Sequence, residues 1–139
     1  MTSRVSGLRS KCIHGRRPVA NTTHMAIRQR AHPAIRERAD LVAAAQTGTG
    51  KTAAFTVPLV ERLSQHDASG TKRRPVRALV IAPTRELAAQ IHESVKTYGR
   101  NLPLRSGVIF GGVGMQPQID RLRKGVDILI ATPVACWIT

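Results

Sequence analysis

The sequence predicts an α/β domain in which a parallel sheet is flanked by helices. Two observations carry this. Four short, nearly continuous apolar runs, at residues 40–45, 77–82, 104–110 and 126–131, alternate with segments whose apolar residues recur at helical spacing. Strands that are apolar throughout are buried on both faces, which a parallel sheet covered by helices achieves. The first run also ends in a Gly/Thr loop that leads straight into a helical segment, as strand–turn–helix units do.

Each element follows from local pattern. Asp40-Leu-Val-Ala-Ala-Ala45 reads as a buried strand. Residues 51–65 place Ala54, Val57, Val60 and Leu63 on one helical face, and Pro58 is expected to kink this helix or remove a hydrogen bond. Residues 66–76 read as a polar loop punctuated by Gly and Pro. Residues 77–82 form a second strand, stopped by Pro83, and residues 85–98 a helix with Leu87, Ala88, Ile91 and Val95 inward. A third strand at 104–110, a third helix at 116–124 and a fourth strand at 126–131 complete the pattern, with Asp127 inside the last strand. His66 and His92 read as surface residues.

Composition narrows the function. At 139 residues there is room for one domain with a core. Hydrophobic residues make up 42% of the chain and aromatics 3%, so that core must be built from Ala, Val, Leu and Ile. The chain has 22 Lys and Arg against 8 Asp and Glu, a balance that favours a polyanionic partner, nucleic acid first. Residues 1–36 hold 8 of the basic residues and no acid, which leaves 14 against 8 in the remainder, so the folded part is only moderately basic. Cys12 and Cys136 lie near opposite ends without metal-ligand spacing, so neither a disulfide framework nor a zinc site is indicated. No apolar run approaches the roughly 20 residues that span a membrane. The expectation is a cytoplasmic, monomeric domain with no membrane partner.

Ala45-Gln46-Thr47-Gly48-Thr49-Gly50-Lys51-Thr52 has the spacing of a phosphate-binding loop. Gly48 and Gly50 allow the backbone to turn its N–H groups around phosphate oxygens, and the helix that starts near Lys51 presents its positive end. Lys51 is placed to reach the terminal phosphates, and the Thr52 hydroxyl to hold a nucleotide-bound Mg²⁺. The bland reading is a Gly-rich turn that binds nothing; Lys-Thr directly after the second Gly argues against it.

Together with that loop, IAPTRELAAQI at 81–91, FGG at 110–112 and ILIATP at 128–133 resemble a DEAD-box ATP-dependent RNA helicase. The resemblance covers residues 39–133 and implies a partial RecA-like P-loop NTPase domain using ATP and Mg²⁺. It also implies an RNA partner held by sequence-nonspecific backbone contacts. By position, Pro83, Thr84, Arg85, Gly111, Gly112 and Thr132 are implied to line the RNA track. The residues themselves allow this, because a helix that begins beside Arg85 at a strand end is a plausible phosphate contact. They also allow an ordinary solvated first turn and an ordinary glycine turn.

The chain departs from the family at both ends. Where the family has Pro-Thr-Pro-Ile-Gln, with the Gln reading adenine, His24-Met25-Ala26-Ile27-Arg28 stands here, and no aromatic residue precedes Phe55. Arg28 reads as a surface charge, so the adenine-reading Gln of the family is missing at that position. Residues 1–38 are therefore expected to be a basic, poorly ordered segment, with a degenerate adenine-recognition region at 24–38. At the other end, Val134-Ala-Cys-Trp-Ile-Thr139 is what the codons of Gly-Arg-Leu-Leu-Asp-His yield after one lost base, so 134–139 is expected to be an out-of-frame tail. No Asp-Glu-Ala-Asp stretch occurs in the chain. The expectation is an N-terminal helicase fragment that binds ATP and RNA without turning ATP over. The rival expectations are a non-catalytic basic RNA-binding module and a nonfunctional truncated product.

Overall fold

The computed structural model describes residues 26–46, 48–65 and 75–136. In chain order the elements are α1 (Ala26–Arg36), α2 (Lys51–Gln65), β1 (Ala78–Ile81), α3 (Arg85–Gly99), β2 (Ser106–Ile109), α4 (Met115–Arg123), β3 (Ile128–Ala131) and the single turn α5 (Pro133–Cys136). The three strands form a parallel sheet in the order β1-β3-β2. The chain thus crosses over β3 to build β2 and then returns to insert β3. Parallel crossovers are right-handed, so two crossovers running in opposite directions send their helices to opposite faces.

The packing agrees. Val60 of α2 and Ile91 and Val95 of α3 meet Ile128 and Ile130 on one face of the sheet. Leu122 of α4 and Ala135 meet Leu129 and Ala131 on the other. Successive side chains of a strand point to opposite faces, and β3 is buried on both. The predicted parallel sheet between helices is present.

It has three strands among the described residues, not four. Residues 40–45 are not a strand, and Leu41 and Val42 are 43% and 100% exposed. A strand exists only where a neighbour takes its backbone groups, and no described strand lies beside this segment. The flank of β1 is open as well, with Leu79 49% and Ile81 58% exposed. The apolar run signals a wish for burial without naming the partner.

Other expectations shift too. Ala26–Arg36 is helical and packs on α2, within the segment expected to be poorly ordered; residues 1–25 lie outside the described part, as do Cys12 and His24. α2 runs through Pro58, which is fully buried, and the Thr56 hydroxyl donates to the Thr52 carbonyl at 2.7 Å one turn back. His92 is not a surface residue: it is 9% exposed on the inner face of α3. Its Nε2 has no hydrogen-bond partner, and burial, seconded by the Lys96 charge, lowers its pKa below 6.5. His66 and most of the 66–76 loop are outside the described residues.

Asp127 directly precedes β3 instead of lying inside it, and it is completely buried. Its carboxylate accepts from the Arg77 guanidinium (Nη2 at 2.9 Å, Nε at 3.0 Å) and from the Arg105 backbone N–H at 2.9 Å. Its carbonyl accepts from the N–H groups of Arg77 and Ala78, and its own N–H donates to the Arg105 carbonyl at 2.8 Å. One residue thereby ties together the starts of all three strands.

Candidate nucleotide and RNA site

The same geometry fixes where a ligand can approach. Arg77 also donates to the Leu63 carbonyl at 2.9 Å, which pins the last turn of α2 to the start of β1. α2 therefore ends at the Asp127 edge, and its first turn and the preceding loop lie toward the opposite edge, where the strands end. In open parallel sheets this is the edge where ligands bind.

The loop has the conformation its glycines permit. Gly48 and Gly50 adopt φ values of 82° and 80°, a region costly for residues with a Cβ. The Thr49 hydroxyl donates to the Gln46 carbonyl at 2.7 Å. The Lys51 ammonium folds back onto the loop, donating to the carbonyls of Ala45 and Gln46, the latter at 3.1 Å. Lys51 is exposed and Thr52 half-buried at the first turn of α2. Glycines that turn the chain, an ammonium at the loop mouth and a hydroxyl at the helix start together suit a phosphate chain. Among the described residues no group of three or more His, Cys, Asp or Glu could hold a metal. Thr47 lies outside the described residues.

The second cluster leaves the same edge from three strands. After β1, Thr84 caps α3: its backbone is extended (φ −126°, ψ 157°) and its hydroxyl accepts from the Leu87 N–H at 3.2 Å. Pro83, Thr84 and Arg85 are all exposed. After β2, Gly111 and Gly112 open the loop to α4, with Gly112 at φ 76°. After β3 comes Thr132, whose N–H donates to the Ile109 carbonyl at 3.1 Å; it is buried, 6% exposed. The structure thus brings Arg85 against Gly112, where a Cβ would meet the guanidinium. Thr132 is set beneath the surface of this edge instead of on it.

α1 supplies what the sequence did not indicate. Arg36 pairs with Glu61 of α2 at 2.6 Å, and a cleft of about 520 Å³ opens between α1 and residues 41–45, lined by Ile27, Arg30, Ala31, Leu41 and Val42 and reaching Thr49. Only the docking of α1 creates it, so no local pattern could have shown it. Arg28 is half-buried with its Nε enclosed and unpartnered, not a plain surface charge. His32 beside it has a pKa lowered first by burial and then by Arg36.

Residues 25–138 match the family model described as DEAD/DEAH box helicase. The chain belongs to the DEAD/DEAH box helicase family. The match extends beyond residues 39–133 on both sides, taking in α1 and α5. Among DEAD-box relatives, a putative DEAD-box ATP-dependent RNA helicase 29 of Arabidopsis thaliana is 44% identical over 107 residues, 77% of this chain and 12% of that protein. The human ATP-dependent RNA helicase DDX50 is 44% identical over 99 residues, 71% of this chain and 13% of the relative. The chain therefore spans only about an eighth of the length of these helicases. Among solved structures, the RNA helicase Prp28 from Chaetomium thermophilum bound to ADP superposes with a TM-score of 0.79 at 32% identity, covering 96% of this chain and 33% of that one. A hypothetical ATP-dependent RNA helicase from Sulfolobus tokodaii gives 0.77 at 27% identity, covering 93% and 35%. The sheet between helices is thus part of a RecA-like helicase domain.

Proposed function

We propose that this chain is the nucleotide-gripping, RNA-contacting portion of a DEAD-box ATP-dependent RNA helicase, and that these 139 residues bind ATP without turning it over. The observation that carries this is the pair Gly48 and Gly50 at positive φ leading into Lys51 and Thr52 at the start of α2, on the same sheet edge as Arg85 and Gly111-Gly112. The backbone N–H groups of Gly48 to Thr52 would surround the β-phosphate. The Lys51 ammonium would exchange the Ala45 and Gln46 carbonyls for phosphate oxygens, and the Thr52 hydroxyl would join the coordination of a nucleotide-borne Mg²⁺. That cation supplies charge neutralisation between the β- and γ-phosphates.

Hydrolysis also needs a carboxylate to orient water. Among the described acids the two buried ones are engaged, Asp127 with Arg77 at the far edge of the sheet and Glu61 with Arg36, while Glu86 in the first turn of α3 is exposed. RNA would be held by its sugar-phosphate backbone, so binding should tolerate sequence and weaken with salt.

Equilibrium binding of a fluorescent ATP analogue with Mg²⁺ tests the reading. Lys51→Ala should weaken it at least tenfold, as expected for loss of one charge-assisted contact of about 1.5–3 kcal/mol. Equal affinity in the two proteins would sink the nucleotide site. RNA-stimulated phosphate release above the Lys51→Ala background would sink the claim of no turnover. RNA affinity that survives Lys51→Ala in full, with no nucleotide binding in the parent chain, would favour a non-catalytic basic RNA-binding module.

A further inference from the structure

The start of α1 lies beside the phosphate loop. Arg36, which ends α1, pairs with Glu61 of α2. One turn earlier, His32 lies against the Ala53 backbone in the first turn of α2. The two helices therefore run side by side in the same direction. A further turn back, Arg28 comes to the end of α2 that carries Lys51 and the loop, and the cleft lined by Ile27 and Arg30 reaches Thr49 there.

Arg28 is poorly provided for at this place. It stands in the first turn of a helix that has no acid there, where the helix dipole disfavours a cation. It is half-buried, its Nε is enclosed without a hydrogen-bond partner, and among the described residues it pairs with no acid. Glu61 on the facing helix is taken by Arg36. A guanidinium only donates hydrogen bonds, so beside a nucleotide it suits a base edge that offers two acceptors. The O6 and N7 of guanine form such an edge, which Arg meets with two parallel hydrogen bonds. Adenine sets its N7 next to an amino group, a donor that an amide side chain can satisfy and a guanidinium cannot. The Gln that the family has at this position fits adenine; Arg28 does not.

We propose that Arg28 selects the base, and that the loop at Ala45–Thr52 takes a guanine nucleotide in preference to an adenine nucleotide. The inference rests on the phosphate-loop reading above and changes only the base. Arg28 contacts the base in this role, while the phosphates stay with the loop and Lys51.

The experiment titrates the full chain, with Mg²⁺, with ribose-labelled ATP, GTP and inosine triphosphate. Inosine keeps the O6 and N7 of guanine and lacks its 2-amino group. The variants are Arg28→Gln, Arg28→Lys and Lys51→Ala, each with a melting temperature. The parent should bind the guanine and inosine nucleotides alike and about tenfold more tightly than ATP, within the range of one bidentate base contact. Arg28→Gln should bring ATP to at least parity. Arg28→Lys keeps donors without the planar fork and should shrink the preference without reversing it. Lys51→Ala should weaken all three nucleotides alike. A merely structural role for Arg28 would move all three affinities together, so the ratio between nucleotides is the reading that decides. Should Arg28→Gln fail to fold, the Arg28→Lys ratio decides instead.

ATP bound by the parent as tightly as GTP, or a ratio unchanged by substitution at Arg28, overturns base selection while the nucleotide site stands. Inosine triphosphate that binds like ATP shows that the 2-amino group is read instead of the O6–N7 edge, and overturns it too. No binding of any nucleotide removes the phosphate-loop reading itself, and base selection falls with it.

Discussion

The two edges of the sheet are built on opposite plans. Where the strands begin, the buried Asp127 gathers the Arg77 guanidinium and backbone groups from three strands into one closed network. Where they end, the chain turns on Gly48, Gly50 and Gly112, Arg85 has no ion partner among the described residues, and Lys51 contacts only loop carbonyls. The first edge has its polar groups consumed internally; the second keeps donors to offer. For the polyanion binding proposed above, keeping these tasks at opposite ends of the same strands would leave the core undistorted.

Breaking the closed edge should have the largest effect. Asp127→Ala leaves Arg77, whose side chain is 16% exposed, without its buried counter-ion, and loss of one partner of a buried pair costs about 3–5 kcal/mol. That is much of a small domain's stability, so a greatly lowered urea midpoint or outright failure to fold is expected; a midpoint within error of the parent would refute the lock. At the open edge, Thr84→Ala removes the cap of α3 and should cost about 1 kcal/mol in the same assay, leaving Mg·ATP affinity unchanged. A third substitution should stabilise. Arg38 sits at φ 64° just past the end of α1, where its N–H donates to Ile35, and Arg38→Gly at such a left-handed position should add about 0.5–1 kcal/mol.

How much of this contrast was legible in the sequence differs between the edges. The turns of the open edge declare themselves, because the positive φ found at Gly48, Gly50 and Gly112 favours Gly. The closed edge hides. Asp127 and Arg77 stand 50 positions apart, and a lone acid at the head of an apolar run gives no hint of which cation will cross to it. Residues 41–45 fail in the opposite way, since their apolar character is plain while the partner that would make them a strand is not among the described elements. His92 reads as polar, yet its place beside Ile91 on the inner face of α3 decides its burial.

That burial gives the smallest predicted effect. His92 has a folded-state pKa below its ordinary 6.5, so the unfolded chain binds the extra proton first as pH falls. Stability should therefore be constant above about pH 7 and decline as pH drops through 6.5 toward the folded value. His32, shifted the same way, adds to the slope. Urea midpoints at pH 7.5 and 5 should differ less in His92→Gln than in the parent; equal differences would show that His92 is not the group responsible.

The strand order has a consequence for how the molecule assembles. β1 and β2 never touch as strands, and the one that joins them, β3, is the last of the three in the chain. Among the described strands, neither earlier one has a sheet partner until Ala131 has cleared the ribosome, so α2 and α3 must wait with their apolar faces only partly covered. Contacts between residues this far apart form slowly, and the interval before they form is when such a chain is open to aggregation and to chaperones.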